Sequence, residues 1–308
     1  MRVLFYGAGV IGSFYAAQLF SAGYDVTILA RGKRLEDIKK HGIVIDHFLQ
    51  KQQTITKVPV IDKLEENDVY DFIFVIMQKN QTYSILPYLK KNRFCYNIVF
   101  LGNNGTGGEE YIESVGKERI LLGFPSIGGK REGHKIIVAY QENSSLTIGE
   151  LNGLVSRRVV DIATMFNKAD ILVKTSDDID SWLKYHIALV SPLANGVHLA
   201  EKKGFELRDN EEAMLLMIKA IKEGFKVLKK LKYPIRPKRM RTLYYYPNFM
   251  IIRILKKTIG TEVGRLVLRE HAITAKEEMK KIADEFQQLV KESGIITPSI
   301  NELYEYIK

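Results

Sequence analysis

The first strand of this chain leads into a glycine loop that opens directly into a helix. The apolar run 3–6 is followed by Gly-Ala-Gly-Val-Ile-Gly, and helical spacing continues from 13 to 20. Gly7 permits a tight turn, Gly9 lets the backbone approach a pyrophosphate, and Gly12 allows close packing of helix and strand. The unpaired N–H groups at the start of the helix attract an anion. We therefore predict a dinucleotide-binding loop formed by Gly7, Ala8, Gly9, Val10, Ile11 and Gly12.

The residues after the second strand distinguish NADP from NAD. In NAD-binding folds a carboxylate at this point binds the ribose 2′-hydroxyl. This chain has Arg31 there, followed by Lys33 and Arg34, with no acidic residue before Glu36. Arg31 can grip phosphate oxygens and stack on the adenine, and Lys33 or Arg34 adds a further positive charge. A solvated basic turn is the alternative interpretation, but the cluster favours NADPH as the cofactor.

Strands and helices alternate in the first part of the chain, and helices dominate the second. The continuous apolar run 71–77 is typical of a parallel strand covered on both faces. The runs 135–139 and 145–149, joined by polar residues, predict an antiparallel edge of the same sheet. We predict an α/β fold with an N-terminal Rossmann-type, doubly wound sheet in residues 1–170 and an all-α C-terminal domain in residues 171–308.

Length and composition exclude several classes of protein. No stretch of the 308 residues approaches the roughly 20 apolar residues of a membrane span, and the N-terminal run lacks the layout of a signal peptide. We therefore expect a cytoplasmic protein. The single cysteine, Cys95, excludes an internal disulfide and a cysteine-built metal site, and the six histidines lack metal-ligand spacing. We expect no metal.

The formal net charge of +10 raises the question of a nucleic-acid partner. The densest basic segment, 226–241, contains no base-reading motif, so we interpret it as a solvated surface that attracts an anionic cofactor and substrate. The run 244–252 begins with three tyrosines and is a candidate membrane or partner patch. Such runs are more often core or subunit interface. We expect no nucleic-acid and no membrane partner.

Three polar positions stand out as candidates for chemistry. Asn104 lies in a glycine-rich loop after a strand, where ligands bind in such folds, although a flexible turn is the alternative. Gln78 follows the preceding strand and either bounds the nicotinamide or is simply polar surface. Lys184 lies in an otherwise apolar helix beside Trp182. Its ammonium either extends to water, which the spacing alone favours, or is a buried proton donor.

Taken in order, these motifs resemble the ketopantoate reductase (2-dehydropantoate 2-reductase) family. The matching segments are 7–12, 29–32, 103–107 and 182–184. The resemblance implies NADPH-dependent reduction of the ketone of a small anionic 2-oxo acid, with ketopantoate to pantoate as the leading reaction. It also implies a homodimer.

The resemblance assigns roles to individual residues. Lys184 matches the catalytic lysine that protonates the developing alkoxide, and Asn104 matches an asparagine that contacts cofactor and substrate. Glu278 falls where the family has a glutamate that positions substrate, although the run 276–281 alone indicates a solvated helix face. Lys184 and Glu278 are thus the catalytic candidates.

The chain also departs from the family pattern. Ala188 and Ser191 stand where the family has asparagines, and Gln78 replaces a lysine. A substrate hydroxyl therefore loses partners, which favours a less polar 2-oxo acid. Two alternatives remain open: a reductase of a different 2-oxo acid, and a non-catalytic NADPH-binding sensor. The candidate substrate-binding residues are Asn104, Lys184, Ala188, Ser191 and Glu278.

Overall fold

The computed structural model describes residues 1–141 and 144–308. It contains two compact units. The N-terminal unit comprises residues 1–102 and 108–179, and the helical unit comprises residues 103–107 and 180–308.

The N-terminal unit is built from strands and helices that alternate along the chain. Its strands are β1 (Arg2–Tyr6), β2 (Asp25–Leu29), β3 (Ile43–His47), β4 (Gln52–Thr56), β5 (Val60–Ile61), β6 (Phe72–Val75), β7 (Ile98–Leu101), β8 (Ile120–Pro125), β9 (Gly128–Glu132), β10 (Lys135–Ala139), β11 (Ser145–Gly149) and β12 (Leu172–Thr175). Its helices are α1 (Val10–Ser21), α2 (Gly32–His41), α3 (Lys79–Thr82), α4 (Leu86–Lys91), α5 (Glu109–Val115) and α6 (Arg157–Lys168).

The main sheet of this unit is doubly wound. Its order is β12-β11-β8-β7-β6-β1-β2-β5, and its pairs are parallel except for β11 with β8. The chain moves outward from β1 to β2 and β5, then returns to β6 on the other side of β1. This switch point is where open α/β sheets bind ligands. The predicted α/β class is confirmed.

The central strands follow directly from their sequences. All four residues of β6 and of β7 are buried. Strands covered on both faces carry apolar side chains at every position, because both sides of the pleat face a packed layer. The continuous apolar run 71–77 therefore predicted β6 correctly.

The prediction that 135–139 belongs to the edge of the main sheet is wrong. This segment is β10 of a second sheet with the order β4-β3-β10-β9, in which β10 is parallel to β3 and antiparallel to β9. Gly133, at φ 57°, forms the tight turn between β9 and β10. The partner β3 lies about ninety positions earlier in the chain, and no local pattern signals such a pairing.

The two units divide at a different place from the predicted boundary at residue 170. β12 pairs in parallel with β11, so the N-terminal unit continues to Ile179. The loop 103–107, although it follows β7, is part of the helical unit. This loop contacts Lys184 of the helical unit and donates a hydrogen bond to Glu278 of the same unit.

The helical unit forms its own core. Its helices are α7 (Ile179–Lys202, beginning at the unit boundary), α8 (Glu211–Lys230), α9 (Arg241–Tyr245), α10 (Asn248–Ile259), α11 (Glu262–Gly264), α12 (Glu270–Thr274), α13 (Lys276–Ser293) and α14 (Pro298–Tyr304). Buried residues from α8 dominate this core, among them Met214, Met217 and Phe225. The side chain of Asn210 caps α8 by accepting a hydrogen bond from the Ala213 amide at 3.0 Å. The C-terminal all-α prediction is confirmed.

The tyrosine-rich run 244–252 is only partly in the core: Ile251 belongs to it, and Tyr244 and Ile252 pack against it. Tyr245 is 67% exposed and Phe249 is 71% exposed, whereas Ile251 is buried. The short helix α10 turns one face inward and leaves a second apolar face outside. Among the described residues, no helix has the length and apolarity needed to cross a bilayer.

The glycine loop offers a direct test of close packing. A Cβ atom on Gly12 would lie 2.0 Å from the carbonyl oxygen of Gly7, whereas one on Gly9 would meet no atom within 4 Å. We expect Gly12→Ala to lower the free energy of unfolding by about 1–3 kcal/mol, because backbone must move. Gly9→Ala is the matched control and should cost less than about 1 kcal/mol. Urea unfolding followed by circular dichroism measures both, and equal effects would contradict the packing argument.

Candidate functional site

The glycine loop packs against the end of β6. Gly7 adopts a φ of +123°, and a Cβ atom there would lie 2.3 Å from the carbonyl oxygen of Ile76. A Cβ atom on Gly12, in α1, would lie 2.0 Å from the carbonyl oxygen of Gly7. Side chains at Gly7 and Gly12 would collide with the backbone, whereas the space beside Gly9 is open. A backbone turn of this shape fits a pyrophosphate.

The start of α1 is electrostatically suited to the same anion. Gly9 is the N-cap, no side chain caps the helix, and the first turn carries no acidic residue. The first amide N–H groups therefore lack intrahelical acceptors and point out of the helix, where the helix dipole is positive. The predicted loop residues from Gly7 to Gly12 thus form one turn in the N-terminal unit whose geometry and electrostatics suit an anion.

The side chain of Arg34 stabilises this turn through hydrogen bonds. Its guanidinium donates to the carbonyl oxygen of Ala8 at 3.0 Å, to Ser13 Oγ at 2.9 Å and to the carbonyl oxygen of His134 at 2.7 Å. Burial lowers the pKa of Arg34 from its usual value. With all three nitrogens donating to the protein and the side chain buried, Arg34 holds the loop in place, and Lys33 is the exposed candidate for the second charge beside a 2′-phosphate.

Arg31 and Lys33 remain on the surface. Arg31 is the N-cap of α2, directly after β2, and both side chains are exposed. Within the described ranges, neither cation forms an ion pair with a carboxylate. Two unneutralised cations therefore lie at the end of the strand that follows the glycine loop, which is the position that recognises the ribose of a dinucleotide.

Gln78 and Lys79 follow β6 at the edge where the glycine loop lies. Gln78 is the N-cap of α3 and is partly exposed. Lys79 is buried, forms an ion pair with Glu110, and donates to Tyr111 Oη at 3.2 Å. The Lys79 ammonium also lies 4.7 Å from the centre of the Tyr111 ring. Glu110 and Tyr111 were missed by the sequence analysis, because nothing local links them to Lys79.

In the helical unit, the loop 103–107 is fixed by two buried carboxylates of α13. Asn103 Nδ2 donates to Glu278 Oε1 at 3.1 Å, and the Gly105 amide donates to Glu285 Oε2 at 2.9 Å. Asn104 Oδ1 accepts from the amide and hydroxyl of Thr106 at 2.9 and 3.0 Å. The predicted Asn-Gly loop is therefore rigidly bound rather than a free turn.

Glu278 does not lie on a solvated face, contrary to what the run 276–281 alone indicates. It is only 4% exposed, and its Oε2 lies 3.8 Å from Nε2 of His271. Glu285, which the sequence analysis missed, is also buried. It follows Glu278 by seven positions, which places both on one face of α13, and this spacing within an apolar stripe is the signal that could have identified it.

Lys184 is buried as well, so the preference for an ammonium extended to water is wrong. It is 3% exposed, forms an ion pair with Asp180 one turn earlier, and lies 4.7 Å from the centre of the Tyr233 ring. A Cβ atom on Gly107 would lie 3.3 Å from its Nζ. The loop 103–107 therefore contacts Lys184 at one end and Glu278 at the other.

Tyr185 fixes the position of Tyr233, whose ring lies beside the Lys184 ammonium. Its hydroxyl donates to the carbonyl oxygen of Tyr233 at 3.1 Å, and burial raises the pKa of Tyr185 above its usual value. Tyr233 precedes Pro234, which disfavours a helical conformation there, and the centre of its ring lies 4.7 Å from the Lys184 ammonium of α7. Sequence reasoning did not identify Tyr233, because it follows α8 and is remote from α7 along the chain.

The structure separates Ala188 and Ser191 from these contacts. Ala188 is fully buried, and its methyl group lies 3.2 Å from the Cβ position of Gly224 in the helical core. Ser191 is buried beside Asn195 and lines a small cavity against α14. The loop 103–107 brings together Asn104, Lys184 and Glu278, whereas Ala188 and Ser191 pack elsewhere in the helical core.

Among the described residues, no group of three or more His, Cys, Asp or Glu side chains is arranged to hold a metal ion.

Comparison with known proteins gives a consistent result. A sequence model of the family "Ketopantoate reductase PanE/ApbA" matches residues 3–153. A 2-dehydropantoate 2-reductase of Aquifex aeolicus is 26% identical over 313 residues, covering 100% of this chain and 96% of the relative. One of Pyrococcus abyssi is 28% identical over 233 residues, covering 74% of this chain and 73% of the relative. This chain is a relative of the ketopantoate reductases.

The predicted resemblance and the prediction of an oxidoreductase are therefore confirmed. Solved structures agree on the fold of such relatives. A 2-dehydropantoate 2-reductase from Methylococcus capsulatus superposes with a TM-score of 0.70 at 18% identity, covering 99% of this chain and 95% of that one. A D-mandelate dehydrogenase with NADH and anilino(oxo)acetate superposes with a TM-score of 0.79 at 19% identity, covering 100% and 97%.

His186 contributes to the pH dependence of stability. Its ring stacks on Trp182 at 5.4 Å, and burial together with the charge of His271 lowers the pKa of His186 to about 3. The folded state therefore resists protonation that the unfolded chain accepts below its ordinary pKa of about 6.5. We expect the free energy of unfolding to fall as the pH drops from about 6.5 towards 3, by at most about 1.4 kcal/mol per pH unit from this group.

Urea unfolding at a series of pH values measures this loss of stability. His186→Gln should flatten the profile between about pH 6 and 4, whereas His41→Gln, in the N-terminal unit, should not. An unchanged slope in His186→Gln would show that other groups cause the loss.

Proposed function

We propose that this chain reduces the ketone of a small 2-oxo acid with NADPH, with ketopantoate to pantoate as the first reaction to test. The observation that carries the proposal is the buried ammonium of Lys184, held beside the loop 103–107 in the helical unit. A buried cation is costly unless it has a partner, and a reductase needs a fixed proton donor near the reacting oxygen. The proposal includes a cytoplasmic location and a homodimer, as the resemblance implies.

The cofactor assignment is supported by the N-terminal unit. The turn from Gly7 to Gly12 fits a pyrophosphate, and the exposed Arg31 and Lys33 fit a 2′-phosphate. When bound, the nicotinamide supplies the hydride. The NADH in the structure of the D-mandelate dehydrogenase supports a nicotinamide cofactor for this fold, and the two cations favour NADPH.

Lys184 acts as the proton donor in this proposal. Its Nζ gives a proton to the ketone oxygen as negative charge develops there, and it recovers a proton from water afterwards. A cation close to that oxygen stabilises charge that exists only in the transition state. Asp180 and the Tyr233 ring limit the directions in which the ammonium can point. The lysine therefore needs little reorganisation when substrate binds.

Glu278 and Asn104 are assigned to substrate in this proposal, and both are held by hydrogen bonds before substrate arrives. Ala188, where the family has an asparagine, is buried against Gly224 in the helical core and has no hydrogen-bonding group. A reductase of a less polar 2-oxo acid is thus the close alternative, and the anilino(oxo)acetate in the D-mandelate dehydrogenase structure supports testing aromatic 2-oxo acids.

The role of Lys184 is tested with Lys184→Ala. We expect turnover of the best 2-oxo acid to fall by about 10²–10⁴-fold, because the proton donor is lost, while NADPH still binds. Consumption of NADPH at 340 nm measures turnover, with ketopantoate and aromatic 2-oxo acids as substrates, and fluorescence titration measures NADPH binding. Lys202→Ala, an exposed lysine on the same helix, is the matched control and should keep full activity.

Two results would decide against this assignment. If Lys184→Ala retains turnover, the proton comes from another group. If the wild-type protein binds NADPH but reduces no 2-oxo acid in the panel, the non-catalytic sensor becomes the better interpretation.

The cofactor preference is tested with the double variant Arg31→Ala, Lys33→Ala. We expect the ratio of kcat/KM for NADPH to that for NADH to fall by about 10–100-fold, because charge-assisted hydrogen bonds to the 2′-phosphate are lost. The control is Lys39→Ala, Lys40→Ala, which removes two exposed cations from the other end of α2. An equal loss with both cofactors would argue against recognition of a 2′-phosphate.

A further inference from the structure

One segment of the helical unit has an extreme charge pattern. Between Glu223 and Glu262 the chain contains no acidic residue. Its Lys and Arg residues are Lys226, Lys229, Lys230, Lys232, Arg236, Lys238, Arg239, Arg241, Arg253, Lys256 and Lys257. The formal net charge of the whole chain is +10, so this segment alone accounts for a charge of that size. The positive field of the helical unit is therefore concentrated here.

The same segment exposes large apolar side chains. Helix α10 buries Ile251 and Ile259 on its inner face, yet Phe249 is 71% exposed and Ile254 is 56% exposed on its outer face. A surface helix is normally apolar on one side only. A helix that is apolar on both sides has a second surface that water does not favour, and contiguous exposed patches of this kind mark interaction sites.

Apolar and basic residues share the outer face of α10. At 100° per residue, Phe249, Arg253, Lys257, Met250 and Ile254 fall within an arc of about 140°. We call this set, together with Tyr245, Tyr246 and Arg241, the α10 surface. Arg241, Arg253 and Lys257 are exposed, and in the part of the chain that the structure describes none of the three forms an ion pair with a carboxylate.

The α10 surface is attached to α8 of the helical unit by several contacts. Lys222 Nζ donates to the carbonyl oxygen of Tyr246 at 2.6 Å, and Lys256 Nζ lies 2.6 Å from Glu211 Oε1. The Lys229 ammonium lies 4.8 Å from the centre of the Tyr244 ring. These contacts connect α8 to the end of α9 and to α10, and the remaining cations and apolar groups of the α10 surface face away from α8.

The chemistry of the α10 surface selects among partners. A second copy meeting it face to face would bring like charges together, since the segment has no acidic residue. The Tyr, Phe, Met and Arg side chains of the α10 surface would themselves suit a protein interface, so it is this repulsion between like charges that argues against a second copy. Nucleic acid satisfies the cations but gives aliphatic groups such as Ile254 nothing to bury against. An anionic bilayer accepts both, because lipid headgroups pair with the cations while Phe, Met, Ile and Tyr enter the acyl boundary.

We propose that the α10 surface docks this protein on an anionic phospholipid bilayer. This revises the expectation that the chain has no membrane partner. The helix lies in the plane of the interface and does not cross it, in agreement with the absence of a membrane-spanning helix among the described residues. Attachment is reversible and weakens with salt, since a large part of the attraction is electrostatic and is screened.

Flotation with vesicles tests the proposal without any substrate, so its outcome is independent of the proposed reductase activity. The full chain is mixed with vesicles of phosphatidylcholine and phosphatidylglycerol in equal parts, and with vesicles of phosphatidylcholine alone. We expect binding to the anionic vesicles to be at least about tenfold tighter, and to decrease when NaCl is raised from about 0.1 to about 0.5 M. Equal binding to both vesicles, or none to either, would overturn the proposal.

Variants then locate the binding surface. Phe249→Ser, Ile254→Ser and, separately, Arg253→Gln, Lys257→Gln should each reduce binding to anionic vesicles by about tenfold or more. The matched controls are Ile296→Ser and Lys291→Gln, exposed residues of the same unit outside the α10 surface. Circular dichroism and the melting temperature establish that each variant is folded. If the controls lose binding to the same extent, the surface is wrongly placed.

The other occupants of this surface have distinct outcomes. If the wild-type protein is a dimer that Phe249→Ser, Ile254→Ser dissociates, and vesicles are not bound, a second copy covers the α10 surface and the proposal fails. If a fluorescent single-stranded oligonucleotide binds, Arg253→Gln, Lys257→Gln abolishes that binding, and vesicles are not bound, a nucleic acid is the partner and the proposal fails as well.

Discussion

The contact on which the N-terminal unit depends is the approach of α1 to the end of β1. A single methyl group on Gly12 would lie 2.0 Å from the Gly7 carbonyl oxygen, so only glycine allows the helix to begin at this distance. That distance fixes where the uncapped amides of α1 point. Arg34 stabilises the same turn by donating to the Ala8 carbonyl, and the buried guanidinium has its hydrogen bonds satisfied there, as the cost of burying a charge requires. Sheet, turn and anion site are therefore one packed arrangement.

The helical unit relies on a second arrangement of buried polar groups. The loop 103–107 is fixed by Glu278 and Glu285 of α13 and by the neighbourhood of Lys184 on α7. Each of these charges would be expensive to bury alone. Held by hydrogen bonds and an ion pair, they give the loop one conformation. A polar network of this kind contributes little net stability, but it defines the positions of an ammonium and a carboxylate, which is what a proposed reductase site requires.

Charge is divided between two tasks in this chain. Buried cations such as Arg34, Lys79 and Lys184 have specific partners and serve structure or chemistry. Exposed cations include Arg31 and Lys33 in one unit and Arg241, Arg253 and Lys257 in the other. The net charge of +10 is the difference between 46 Lys and Arg residues and 36 Asp and Glu residues. It is not uniform along the chain, because the segment between Glu223 and Glu262 carries Lys and Arg but no acidic residue.

The sequence alone determined the α/β class, the central strands, the tight glycine turn and the family resemblance, because these depend on local patterns: continuous apolar runs, glycine spacing and helical periodicity. The tertiary structure decided the rest. It paired β10 with β3, buried Lys184 and Glu278, brought Glu285 and Tyr233 to them, placed Ala188 in the core and left Phe249 outside. Each of these depends on residues distant in the chain, and burial is set by what packs against a side chain, which no spacing within its own helix records.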